Sequence, residues 1–181
     1  MKKSDVSNHE KIMVGIIVAC AVWLIGWKTG LISDQPAGVF KISQRSQISP
    51  FQLNTLSGKV WSSTRLRGNI TVVNLFATWC PPCREEIPGF DYLAHEYSHT
   101  NVHFIGISMS NVDMDVLRSF IHSESIPYPV MLPEGKLPFN TQLLPTTYLI
   151  DSNGRIAGIY TGEISANVLK QDITDLQRET S

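Results

Sequence analysis

Trp79-Cys80-Pro81-Pro82-Cys83-Arg84-Glu85-Glu86 is the stretch on which the reading of this chain turns. Before it runs Ile70-Thr71-Val72-Val73-Asn74-Leu75-Phe76, apolar and rich in β-branched residues, the pattern of a buried central strand. After it, Ile87, Phe90, Leu93 and Tyr97 recur at helical spacing, so a helix begins at about Cys80. Two cysteines separated by two residues therefore stand where a strand becomes a helix. A helix N-terminus offers unpaired N–H groups and a positive partial charge. A thiolate there is stabilised and becomes a usable nucleophile near neutral pH. Pro81 and Pro82 suit a first helical turn, where a missing N–H costs little.

In this setting the pair reads as a thiol–disulfide redox centre. Zinc would need four ligands, and the one further cysteine, Cys20, lies far away in an apolar segment. The expected cofactor set is therefore empty, with no metal and the cysteine pair itself as the redox group. Cys80, outside the helix and beside Trp79, is expected to be partly exposed and to act as nucleophile. Cys83, one turn in, is expected to be less accessible and to resolve the mixed disulfide.

Across all 181 residues the net charge is −1 and the pI is near 6.5, so there is no electrostatic case for nucleic acid. Three cysteines are too few for a disulfide scaffold. Residues 1–11 are polar, with Lys2, Lys3 and Lys11, and read as a short cytoplasmic segment. Ile12 to Trp27 carries no charge. Sixteen helical residues span about 24 Å, and continuing to Ile32 with Lys28 snorkelling reaches the roughly 30 Å of a hydrocarbon core. Residues 12–32 are therefore expected to be a transmembrane signal anchor. A cleaved signal peptide fits less well, for want of a small-residue cleavage site before a polar start. Ile17-Val18-Ala19-Cys20 resembles a lipobox, but the residues after Cys20 stay apolar. Lysines and arginines flank the span on both sides, so charge alone does not orient it. The redox pair favours the C-terminal domain outside, where disulfides form. Residues 33–48, with Pro36, Gly38 and several Ser and Gln, read as a flexible tether, and 49–181 as the folded domain.

That domain is expected to open with a hairpin, Phe51–Thr55 and Lys59–Ser62 around Ser57-Gly58. Asn101–Ser108 is a second buried strand, reached from the first by a right-handed parallel crossover. Val116, Leu117, Phe120 and Ile121 mark a helix, and Tyr128–Met131 a short extra strand. Asn153-Gly154 turns a hairpin between Thr147–Ile150 and Arg155–Tyr160. Val168, Leu169, Ile173 and Leu176 lie on a closing helix. The class is α/β, with a mixed sheet and helices on both faces.

Over about residues 48–178 the chain resembles the thioredoxin-like superfamily, and within it the membrane-anchored TlpA, ResA and CcmG (DsbE) branch. The resemblance rests on Trp79-Cys80-Pro81-Pro82-Cys83, on Pro88, and on Leu144-Pro145-Thr146-Thr147-Tyr148-Leu149-Ile150-Asp151-Ser152-Asn153-Gly154. It implies a thioredoxin-like fold with an insertion before the Pro145 strand, and a cis bond at Pro145, facing the cysteines. It implies a redox disulfide between Cys80 and Cys83, with Trp79, Pro82, Leu144 and Pro145 contacting substrate. By this likeness the protein reduces protein disulfides, including those of apocytochromes c, with electrons from a membrane donor of the DsbD or CcdA type. One departure concerns the CcmG group, whose members often carry an acid after the cis proline where this chain has Thr146.

Thioredoxin carries a buried Asp on the central strand where this chain has Asn74, which cannot titrate. Glu86, one turn beyond Cys83, is the replacement expected to accept the proton of that thiol, and ResA-like proteins have a Glu there. The other reading of Glu86 is a solvated first-turn carboxylate like Glu85. His95-Glu96-Tyr97-Ser98-His99 matches the zinc-protease pattern H-E-x-x-H, against a reading as a solvated helix face. A copper-handling protein of the Sco type would have its cysteines one residue further apart. A peroxidase would need Pro-x-x-x-Thr-x-x-Cys, which Thr78 does not satisfy.

Overall fold

Eight strands form one sheet: β1 (Ser46–Gln47), β2 (Gln52–Thr55), β3 (Val60–Ser62), β4 (Ile70–Phe76), β5 (Val102–Ser108), β6 (Val130–Leu132), β7 (Thr146–Ile150) and β8 (Arg155–Thr161). Among the described residues three α-helices accompany them: α1 (Pro81–Glu96), α2 (Met114–Ser123) and α3 (Ala166–Thr180). The computed structural model describes residues 39–133, 135–140 and 142–180. The segment 1–11 and the anchor expected at 12–32 lie outside them. Among the described residues no helix is long and apolar enough to cross a membrane.

The strand order is β1-β8-β7-β4-β5-β6-β2-β3. β4 is parallel to β5 and antiparallel to β7, and all seven of its residues are buried, as its unbroken apolar run requires. Ile70, Val72 and Phe76 enter one core layer with Ile87, Phe90, Leu93, Phe120, Leu169, Ile173 and Leu176 from the helices. Val73 and Leu75 enter the other, with Leu53, Trp61, Leu66, Ile105, Ile107, Phe139 and Tyr148.

The expectation of helices on both faces is not met among the described residues. α1 joins β4 to β5, and α2 joins β5 to β6, each pair parallel and each step in the same direction across the sheet. Right-handed crossovers taken in one direction put their helices on one face. The second layer contains no residue of α1, α2 or α3. It is closed by the Ser63–Leu66 turn, by Trp61 and by Leu137 and Phe139 of the segment before β7.

The insertion expected before the Pro145 strand is α2 and β6, and the expected hairpin is β2–β3, which extends the sheet beyond β6. Gly58 and Gly154 turn the two hairpins with φ of 76° and 74°. The tether expected at 33–48 is corrected over its second half. Ser46 and Gln47 pair with Ile156 and Arg155, and the Phe40 N–H donates to the Ala157 carbonyl at 2.6 Å. The Arg45 side chain, 3 % exposed, reaches Asp151 Oδ2 at 3.3 Å and Glu179 Oε2 at 2.8 Å. A polar, serine-rich segment is held because β8 would otherwise be an open sheet edge.

Candidate active site at the start of the first helix

β4 delivers the chain to the site. The Thr78 N–H donates to Ser110 Oγ at 2.8 Å, and the Met109 N–H to the Phe76 carbonyl at 2.7 Å, so the turn after β4 is tied to the end of β5. Cys80 is the N-cap of α1, in extended conformation, and Pro81 fills the first helical position. Cys80 and Cys83 are joined as a disulfide with Cα atoms 5.3 Å apart. Arg84 pairs with Glu124 and lies 5.7 Å over the Phe120 ring, which ties the first turn of α1 to α2.

The order of accessibility follows expectation, but Cys80 is not partly exposed. It is 4 % exposed and Cys83 is 0 %. In the disulfide, Cys80 is drawn against the helix-side core, and Trp79 takes the outward position at 68 % exposed. The Leu144–Pro145 bond is cis, as expected. Leu75 pairs with Thr146, so Pro145 comes level with Phe76, at the end of the sheet from which Cys80 follows. Pro82 is exposed, Leu144 half-buried and Pro145 buried. Leu143, which the sequence reading passed over, is 63 % exposed beside them. An exposed apolar residue next to the proline of a known motif is the signal that could have marked it.

Glu86 is not a solvated first-turn carboxylate. It is 3 % exposed, whereas its neighbour Glu85 faces solvent. Asn74 Nδ2 donates to Glu86 Oε1 at 2.7 Å and to Thr147 Oγ1 at 3.1 Å, and the Ile164 N–H reaches Glu86 Oε2 at 3.4 Å. Burial pushes the carboxyl up to about 8; the hydrogen bonds from Asn74 and Ile164 pull it down, and the charge of Glu163 adds to the rise. The like charge is Glu163 rather than a thiolate, because the cysteines are bonded to each other. Tyr128 lies near Glu86, and its phenol is pushed well up by burial and then by the charges of Glu86 and Asp91. Gly106 beside it makes room for Phe76: a Cβ there would lie 2.9 Å from that ring, and at 3.4 Å it would only touch Tyr128. Thr147, Ile164 and Tyr128 are partners no local pattern announces. Only the β4–β7 register and the approach of the segment before α3 bring them in.

The H-E-x-x-H match is dispersed. α1 stops at Glu96, so His95 is in its last turn and His99 in the turn beyond, not on one helical face. Glu96 is bound to Lys170 at 2.6 Å, and His95 to Asp91 at 3.3 Å.

A disulfide just after the central strand, on a mixed sheet with a cis proline just before the neighbouring strand, is the arrangement of a thioredoxin-like thiol–disulfide oxidoreductase. The AhpC/TSA family profile matches residues 45–159, and the chain belongs to that family. It is 32 % identical over 133 residues to the thiol–disulfide oxidoreductase ResA of Oceanobacillus iheyensis, covering 70 % of this chain and 69 % of the relative. It is 26 % identical over 168 residues to the thioredoxin-like protein YneN of Bacillus subtilis, covering 91 % and 97 %. Among solved structures, a thiol:disulfide interchange protein of the thioredoxin family from Chlorobium tepidum superposes with a TM-score of 0.67. The two are 30 % identical, and the match covers 74 % of this chain and 97 % of that one.

Proposed function

We propose that this protein is a membrane-tethered reductase of protein disulfides, acting outside the cytoplasm and serving apocytochromes c before haem attachment. The observation that carries the reading is the Cys80–Cys83 disulfide at the start of α1, with Glu86 buried one turn beyond it. The likeness to proteins named thiol–disulfide oxidoreductase ResA supports thiol–disulfide exchange as the chemistry, and the reducing direction is part of the proposal. The uncharged run Ile12 to Trp27 supports a membrane anchor, and with it the periplasmic or other extracytoplasmic place of the domain.

The reduced dithiol donates two electrons. The Cys80 thiolate attacks one sulfur of the substrate disulfide; that S–S bond breaks, and the displaced sulfur leaves as a thiolate and is protonated. Cys83 then attacks Cys80 Sγ in the mixed disulfide, breaking it and forming the Cys80–Cys83 bond. The Cys83 thiol must lose its proton to do so. A carboxyl near 8 lies close to a free thiol at about 8.5, so Glu86 in its ionised form accepts that proton with little uphill cost. A membrane donor of the DsbD or CcdA type returns two electrons and two protons to the pair. Trp79, Pro82, Leu143, Leu144 and Pro145 form the contact surface for substrate.

The test is a trap. A Cys83→Ala protein cannot resolve its mixed disulfide, so partners accumulate on Cys80 and are identified by mass spectrometry after reduction. Apocytochrome c peptides with paired cysteines are the expected catch. Adducts confined to other proteins would overturn the cytochrome assignment, and no adduct at Cys80 would overturn the nucleophile.

A further inference from the structure

Gly106 of β5, Asn74 of β4, Thr147 of β7 and Tyr160 of β8 are successive register partners, so they share one face of the sheet. Tyr160 belongs to the helix-side core, so this is the face beneath Glu86. Asn74 is 1 % exposed, and its amide nitrogen serves both Glu86 and Thr147. Its Oδ1 is buried and has no hydrogen-bond partner among the described residues.

That arrangement suits one protonation state of Glu86. An ionised carboxylate only accepts, and it faces the Asn74 and Ile164 N–H groups. A protonated carboxyl carries an O–H that needs an acceptor, yet both its oxygens face donors. A half-turn of the amide exchanges its oxygen and nitrogen, which are nearly equal in size. Oδ1 would then lie near the 2.7 Å now spanned by Nδ2, an ordinary O–H···O length. The Thr147 hydroxyl, donor as well as acceptor, could turn to donate to the same oxygen.

We propose that the Asn74 amide turns over when Glu86 gains or loses its proton, making Asn74 the positioning residue for the proton that leaves Cys83. The proposal rests on the acid–base reading of Glu86. As Cys83 gives up its proton and attacks, Glu86 becomes a donor and Asn74 Oδ1 its acceptor. When Glu86 releases the proton to the departing substrate thiolate or to water, the amide returns to donating. Each state of the carboxyl then meets a matching group without moving the backbone. The titratable groups around Glu86 are Glu163 before α3, Tyr128 before β6 and the cysteine pair of α1 itself. Tyr160 and Asp172 stand further along the row, joined at 2.5 Å.

Nuclear magnetic resonance on the full chain in micelles tests this, with the Asn74 side-chain amide labelled and Cys80–Cys83 oxidised. Above pH 9 the Asn74 NH2 protons should show through-space contacts to the Glu86 γ-protons and the Thr147 methyl. Those contacts should fade as Glu86 protonates. In Glu86→Gln, which cannot titrate, the pattern should not change with pH. Contacts that persist across the titration would overturn the proposal. A change that survives in Glu86→Gln would also overturn it and assign the motion to Glu163 or Tyr128. The rate of mixed-disulfide resolution, measured separately in Glu86→Gln, reports on the acid–base reading. A wild-type rate beside an amide that turns would overturn the role in the Cys83 step while leaving the turnover standing.

Discussion

Two buried carboxylates in this domain are handled in opposite ways. Asp151 closes the β7–β8 turn; its Oδ1 accepts from the N–H groups of Asn153 and Arg155, and its Oδ2 faces the Arg45 guanidinium. Glu86 lies over the middle of β4 and faces an amide, one distant backbone N–H and the like charge of Glu163. Asp151 is given donors and a cation, so its charge holds the polypeptide together. Glu86 is denied a cation, so its charge is costly and its proton is easily exchanged. The Asp172–Tyr160 pair stands between them: burial pushes both groups up, but the partner is a phenol and no cysteine is near in the chain. A buried acid is structural or chemical according to what it is paired with.

The largest expected effect that sharpens this contrast is in stability against pH. The folded chain keeps Glu86 protonated to about 8, while the unfolded chain ionises it from about 4.5. Between those values the folded state holds the extra proton, so raising pH favours unfolding. The stability is fully present below the lower value and is lost as pH rises to the upper one. The difference amounts to about 5 kcal/mol as an upper bound. Urea denaturation from pH 5 to 9 should show wild type losing ground to Glu86→Gln by up to that amount. A wild-type-to-variant difference that stays flat with pH would break the comparison at the Glu86 end.

At the other end, Arg45→Ala leaves Asp151 buried with its two backbone donors and no cation. A loss of about 3 kcal/mol is expected at pH 7, the low end for an orphaned buried charge, with disulfide exchange unaltered. The contact with Glu179, whose side chain is 36 % exposed, adds little. Stability within about 0.5 kcal/mol of wild type would show that the Arg45–Asp151 pair is incidental.

Kinetics give the next effect. Glu86→Gln should slow resolution of the mixed disulfide by about 100-fold, the usual worth of a positioned acid or base. Glu85→Gln and Asp172→Asn should each stay within about twofold, because one is solvated and the other lies on α3 against Tyr160. Stopped-flow thiol exchange with a model disulfide measures all three. Equal rates in Glu86→Gln and Glu85→Gln would make Glu86 a packing residue only, with the proton leaving through water.

The sequence by itself determined what depends on short separations. The apolar, β-branched run Ile70–Phe76, the cysteine spacing and the Asn153-Gly154 turn are local, so β4, the start of α1 and the β7–β8 hairpin were legible in the sequence. Glu86 was legible as a candidate because it stands one helical turn from Cys83. Only the tertiary structure decided which way the long-range choices fell. Consecutive right-handed crossovers put α1 and α2 on one face, and α3, which follows β8, packs into the same core layer, whereas apolar periodicity says that a helix packs without saying on which side. Arg45 and the strand Ser46–Gln47 looked like tether because their partners, Asp151, Glu179 and β8, come from more than a hundred residues away. The burial that raises Glu86 and the hydrogen bonds from Asn74 and Ile164 that pull it back both come from folding, with Asn74 and Thr147 on two strands and Ile164 in the segment before α3. A carboxyl's proton affinity is set by everything within a few ångströms, and only folding brings those groups together.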